Sequence, residues 1–132
     1  MSIPFIDLKS QYNENKAKFD AAIQRVLDHG QYIMGPEIEQ LESDLAQFVG
    51  VKHVVACSSG TDALVLPLMT KRLTAEDAIF TTPFTFFASA ESISLAGGTP
   101  VFVDIDPTTY NIDPIKLKAA IDQVTDSLPA DH

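Results

Sequence analysis

The chain has 132 residues, 45% of them hydrophobic and 20% charged, which suits one soluble domain with a sizeable core. A net charge of -9, with carboxylates spread along the chain rather than in blocks, argues against nucleic acid or an anionic membrane as the main partner. One cysteine, no basic-then-apolar leader and no apolar run of membrane-spanning length point to the cytoplasm.

The opening Ile3-Pro4-Phe5-Ile6-Asp7-Leu8 reads as an extended segment, by its proline and its alternation. From about Tyr12 to Leu27 apolar residues recur at helical spacing, and His29-Gly30 reads as a helix stop. After the loop Gln31 to Gly35, Pro36 stands where a first helical residue should. Glu37 and Glu39 follow in the dipole-favoured first turn, and Gly50 ends the helix.

Beyond Gly50 strands and helices alternate: a strand over 53–57, a helix over about 61–71, a strand over 78–82, a helix over about 85–96 and a strand over 100–104. A last helix starts at Pro114 with Asp113 as its cap. Val54-Val55-Ala56 and Val101-Phe102-Val103 are apolar without alternation, as expected of strands covered on both faces. The fold class that follows is α/β, a mostly parallel sheet flanked by helices. Ligands bind such sheets beyond the carboxyl ends of the strands, here Ser58-Ser59-Gly60, Thr82 to Phe86, and Asp104-Ile105-Asp106.

At the first of these ends the turn from strand to helix exposes backbone N–H groups and the positive end of the helix dipole, and Ser58, Ser59 and Thr61 add hydroxyls. This is a candidate phosphate cradle, although it lacks the lysine of a P-loop and the spacing of GxGxxG, and serine and glycine at such turns also serve simply to cap a helix. At the second end Phe84, Phe86 and Phe87 cluster, and one of them could lie flat on a planar ligand ring; core packing is the bland alternative. At the third, Val101 to Thr108 fits the Asp-x-Asp-x-Thr pattern of haloacid dehalogenase-type phosphatases and the Asp-x-Asp of metal-dependent glycosyltransferases. Aspartates capping the following turn explain it as well. Cys57 has no histidine placed to activate it, and His29, His53 and His132 lack metal-ligand spacing, so no metal site is expected.

Taken in order, Ile3-Pro4-Phe5-Ile6-Asp7-Leu8, Gly30 to Glu37, Ser59-Gly60-Thr61-Asp62-Ala63-Leu64, Phe84 to Ala88 and Pro100 to Asp106 resemble the N-terminal part of the DegT/DnrJ/EryC1/StrS sugar aminotransferases. The resemblance spans essentially the whole chain. It implies the large domain of a fold type I transferase that uses pyridoxal 5'-phosphate and moves an amino group from glutamate onto a keto group of a nucleotide-linked sugar, as a homodimer with active sites at the subunit interface. Position by position it assigns Ser59, Gly60 and Thr61 to the cofactor phosphate and Phe86 to the face of the pyridine ring. It sets Asp7, Tyr32, Met34 and Gly35 near the sugar nucleotide. The opening and the loop most resemble the branch acting on UDP-linked 3-keto hexuronic acid sugars for surface polysaccharide.

The lysine that would form a Schiff base with the cofactor, and the aspartate that would pair with its pyridine nitrogen, lie in the family beyond this chain's last residue. None of Lys9, Lys16, Lys18, Lys52, Lys71, Lys116 and Lys118 offers a substitute. Residues 1–132 are therefore expected to form the N-terminal portion of a longer enzyme, with no catalytic residue of their own and no transamination alone. A dehydratase of the same family and a non-catalytic phosphate-binding module stand as alternatives.

Overall fold

A computed structural model describes residues 4–126. Along them run α1 (Leu8–His29), α2 (Pro36–Val49), α3 (Gly60–Met69), β1 (Ala78–Thr81), α4 (Ala88–Leu95), β2 (Thr99–Phe102) and α5 (Pro114–Asp126). The chain divides into two compact units, Met1–Ala56 and Cys57–His132.

In the first unit, α1 begins at Leu8, earlier than the apolar spacing alone suggests. Asp7 is its cap: the carboxylate accepts the Ser10 N–H at 3.0 Å and the Ser10 hydroxyl at 2.7 Å. The helix ends at Gly30, whose φ of 68° is left-handed and whose N–H donates to the Val26 carbonyl at 3.0 Å. Helix α2 carries Pro36 at its first position and both acidic residues in its first turn, and it stops at Gly50 (φ 75°), as the sequence leads one to expect.

The strand expected over 53–57 does not form. Among the described residues no strand pairs with it, and the Ala56 N–H donates instead to the Glu42 carboxylate at 2.7 Å. Val55 is 79% exposed. Apolar, β-branched residues favour an extended backbone, but a strand also needs a ladder partner, and here the amide is taken by a side chain.

The second unit is built on a β-α-β crossover. Strands β1 and β2 pair in parallel, Ala78 with Thr99 through Thr81 with Phe102, and α4 is the connection between them. The pairing extends past both named ends, from the Thr99 N–H to the Asp77 carbonyl at 2.9 Å and from the Val103 N–H to the Thr81 carbonyl at 2.8 Å. Helix α3 packs on α4, and α4 packs on both strands. Ala88, Ile93 and Val103 are buried at this junction together with Ser92, whose hydroxyl donates to the Ser89 carbonyl at 3.4 Å. The α/β class thus holds. Coverage on both faces does not extend to β2, whose Thr99 and Phe102 are exposed among the described residues.

The turns around these strands have chemical causes. After α4, Gly97 takes a φ of 95° and Gly98 donates to the Ile93 carbonyl at 3.0 Å, which turns the chain into β2. Helix α4 starts at Ala88, later than expected, because Thr85 to Phe87 form the entering turn, closed by the Ser89 N–H on the Phe86 carbonyl at 3.0 Å. Strand β2 stops at Phe102, and Ile105 instead bridges antiparallel to Ile112. Asp113 caps α5 as expected, accepting the N–H groups of Ile115 at 2.8 Å and Lys116 at 3.2 Å.

Candidate functional site

The amino end of α3 carries the serine, glycine and threonine singled out in the sequence. Ser59 is the N-cap, with its hydroxyl oxygen accepting the Asp62 N–H at 3.1 Å. Its proton goes to the Asp62 carboxylate, also at 3.1 Å, and the Ser58 hydroxyl donates to the same carboxylate oxygen. The backbone N–H groups of Gly60 and Thr61 and the Thr61 hydroxyl have no acceptor among the described residues. Two orphan donors and one hydroxyl without an acceptor among the described residues therefore stand at the positive end of a helix.

Gly60 has no conformational reason to be glycine, since its φ is not left-handed, and a Cβ built on it meets nothing within 4 Å. Space beside the free amides is what the missing side chain leaves. An anionic group of phosphate size fits the chemistry of this donor set: amide N–H groups, a hydroxyl and no side chain crowding them.

Asp62 is the member of the group that sequence reading passed over. Ser59-x-x-Asp62 has the spacing of a capping box, and that signal was available. The hydroxyls of Ser58, first, and Ser59 hold the Asp62 carboxyl below its ordinary value. A carboxyl whose folded pKa is depressed stabilises the fold above its unfolded pKa, about 3.9, and that contribution is lost as pH falls through the folded value. Asp62→Ala is accordingly expected to lower the thermal midpoint at pH 7, with the deficit shrinking toward zero below about pH 4. Melting curves of both proteins across that range check it; a deficit that persists unchanged at low pH would remove the charge from the explanation.

Past the carboxyl ends of β1 and β2, a hollow of about 350 Å³ is lined by Thr82, Pro83, Thr85, Phe86, Phe87, Ala90 and Phe102. Phe86 is 79% exposed, so it is not packed as core within the described residues. Phe84 lies apart from this lining, with its ring 5.7 Å from that of Tyr110. A hollow of about 380 Å³ between α3, β1 and α4 is lined chiefly by apolar side chains, among them Leu64, Leu68, Ile79 and Ile93. Ser59, Gly60 and Thr61 are not in the lining of either hollow.

The Asp-x-Asp carboxylates are both engaged. Asp106 accepts the N–H groups of Thr108 and Thr109, each at 2.8 Å, which makes it the cap of its turn. Asp104 accepts the Ile105 N–H at 2.8 Å and pairs with the Lys116 ammonium at 2.9 Å. Lys116, first of all, holds the Asp104 carboxyl below its ordinary range, and Asp104 raises the lysine in return. Among the described residues no group of three or more histidine, cysteine or acidic side chains could hold a metal ion.

In the first unit, Tyr32, Met34 and Gly35 share the connection between α1 and α2, while Asp7 caps the far end of α1. Tyr32 and Met34 are exposed, and Met34 is left-handed at φ 50°. Gly35 is buried, and a Cβ there would come within 2.5 Å of the Gln31 carbonyl oxygen. Three further contacts fix the same loop. The Gln31 side-chain amide donates to the Met34 carbonyl at 3.1 Å, the Gln31 N–H donates to His29 Nδ1 at 3.0 Å, and His29 Nε2 lies 3.1 Å from the Glu37 carboxylate.

The model of the family described as the DegT/DnrJ/EryC1/StrS aminotransferase family matches residues 13–130. UDP-2-acetamido-2-deoxy-3-oxo-D-glucuronate aminotransferase of Pseudomonas aeruginosa is 54% identical over 119 residues, which cover 90% of this chain and 33% of that protein. The crystal structure of a DegT DnrJ EryC1 StrS aminotransferase from Brucella abortus superposes with a TM-score of 0.90 at 44% identity, covering 95% of this chain and 34% of that one. That of ntda from Bacillus subtilis with bound cofactor PMP gives 0.83 at 32% identity, covering 90% and 28%. The chain spans about a third of the length of the curated relatives it matches.

Proposed function

The chain belongs to the DegT/DnrJ/EryC1/StrS aminotransferase family, and from that premise we propose that it supplies the phosphate-and-ring portion of a pyridoxal phosphate site in a nucleotide-sugar aminotransferase. The observation that carries the reading is the amino end of α3, where the Gly60 and Thr61 amides and the Thr61 hydroxyl have no acceptor among the described residues and the space at Gly60 is open. The 54% identity to an enzyme named for a UDP-linked 3-oxo-glucuronate favours a UDP-linked 3-keto hexuronic acid sugar as the acceptor. Glutamate as amino donor, surface polysaccharide as destination, a homodimer and a cytoplasmic location belong to the same proposal.

When bound, pyridoxal phosphate supplies an electron sink and a carrier for the amino group. The residues of this chain bind and orient it. Gly60 and Thr61 donate backbone N–H groups to phosphate oxygens, the Thr61 hydroxyl adds a third donor, and the helix dipole favours the anion. Ser59, its proton given to Asp62, holds the helix end in shape and acts on the phosphate only through that shape. Phe86 covers one face of the pyridine ring and keeps water from it. Asp7, Tyr32, Met34 and Gly35 belong to the sugar-nucleotide side of the reading. The lysine that anchors the ring and the aspartate that meets its nitrogen are proposed to lie outside residues 1–132, so this chain alone is proposed to be inactive.

The test is an absorbance titration with pyridoxal phosphate, before and after borohydride, on these 132 residues and on the full-length protein. Only the longer protein is expected to fix the cofactor irreversibly; fixation by the 132-residue chain would sink the assignment of the lysine elsewhere. In the full-length protein, Phe86→Ala is expected to shift the cofactor absorbance and weaken its retention roughly tenfold, the worth of one aromatic contact. A normal spectrum with normal affinity would take Phe86 out of the site.

A further inference from the structure

His29 is the last residue of α1, and its ring holds the loop that follows. Its two nitrogens have unlike partners. Nδ1 lies 3.0 Å from the backbone N–H of Gln31, which can only donate, so Nδ1 is an acceptor and carries no proton. Nε2 lies 3.1 and 3.3 Å from the two carboxylate oxygens of Glu37, which can only accept when ionised, so Nε2 carries the hydrogen. The pair of contacts therefore selects the neutral imidazole with its proton on Nε2.

Gln31 is the residue on which the loop closes. Its N–H reaches His29, its carbonyl oxygen lies 2.5 Å from where a Cβ on Gly35 would stand, and its side-chain amide donates to the Met34 carbonyl. Met34 is held left-handed at φ 50°, a conformation that costs free energy and persists only where its surroundings impose it. We propose that His29 is a positioning residue for the substrate: its Nδ1 clamps Gln31 and so fixes Tyr32, Met34 and Gly35 against the nucleotide-linked sugar. The proposal rests on the reading of that loop as a sugar-nucleotide contact.

Glu37 meets Nε2 from the first turn of α2, so the ring is held on both sides with Nδ1 aimed at Gln31.

The test uses the full-length enzyme with three forms of residue 29. The unaltered protein is compared with His29→Ala, which has no acceptor, and with His29→Asn, whose side-chain oxygen can accept the N–H two residues on as in an Asx-turn. Hydrogen exchange of the 30–35 segment and the KM values for nucleotide sugar and for glutamate are measured in all three proteins at one pH.

The expected result is a rise of up to about tenfold in exchange and in nucleotide-sugar KM for His29→Ala, the worth of one hydrogen bond. Glutamate KM stays level. His29→Asn returns both values to those of the unaltered protein. Exchange that is the same in all three proteins overturns the clamp itself. Exchange that rises while nucleotide-sugar KM stays level overturns the positioning role by removing the loop from the substrate site, and leaves the cofactor reading standing.

Discussion

Thr61→Val in the full-length enzyme is expected to weaken pyridoxal phosphate binding by roughly 1.5–3 kcal/mol, the range for a hydrogen bond to a charged group. That is about ten- to a hundredfold in dissociation constant. The substitution keeps the branched shape and removes only the hydroxyl, which has no acceptor among the described residues and whose loss breaks no contact there. Folding should therefore be nearly untouched while affinity falls. Titration with pyridoxal, which lacks the phosphate, provides the control: its weak binding should be equal in both proteins. Unchanged affinity for pyridoxal phosphate would sink the role of the Thr61 hydroxyl and leave the two backbone amides as the only donors.

Gly97→Ala should be the most damaging single-methyl change in the second unit, costing roughly 2–5 kcal/mol from backbone strain and overpacking together. Two separate effects meet at this residue. Its φ of 95° lies where side chains are disfavoured, and a Cβ would stand 2.7 Å from the Leu73 carbonyl oxygen, a backbone atom that cannot swing aside. Gly30→Ala isolates the first effect, because its φ is 68° and nothing lies within 4 Å of the added carbon. It should cost only about 1–2 kcal/mol. Denaturant unfolding of the two variants in the full-length enzyme decides the matter: equal losses would mean that the close approach to Leu73 relaxes freely.

The helix boundaries were legible wherever one residue carries a boundary by its own chemistry. Pro36 opens α2, Gly30 and Gly50 close helices in left-handed conformation, and Asp113 caps α5, each as its residue type dictates. The early start of α1 was legible too, since Asp7 and Ser10 have capping spacing, but the proline and alternation before them suggested an extended chain. What could not be read was pairing. Val54-Val55-Ala56 has the composition of a strand, and nothing in its own residues reveals that the Ala56 amide goes to Glu42.

The candidate site divides along the same line. Which residue types could hold a phosphate was visible in Ser59-Gly60-Thr61. Which of their atoms are available was not, because that depends on where the Asp62 carboxylate takes the serine protons. His29 stood out in the sequence as part of a helix stop and as a histidine without metal-ligand spacing, and its link to Gln31 and Glu37 required coordinates.

The β1–α4–β2 crossover also bears on the order in which this chain acquires its structure. The two strands that pair are separated in sequence by a single short helix and its turns, so bringing them together closes a small loop and forfeits little chain entropy. Parallel pairing is usually slow because its partners are remote, yet here the partners are near neighbours along the chain. The crossover carries its own buried Ala88, Ile93 and Val103, and it can therefore serve as a nucleus on which α3 docks.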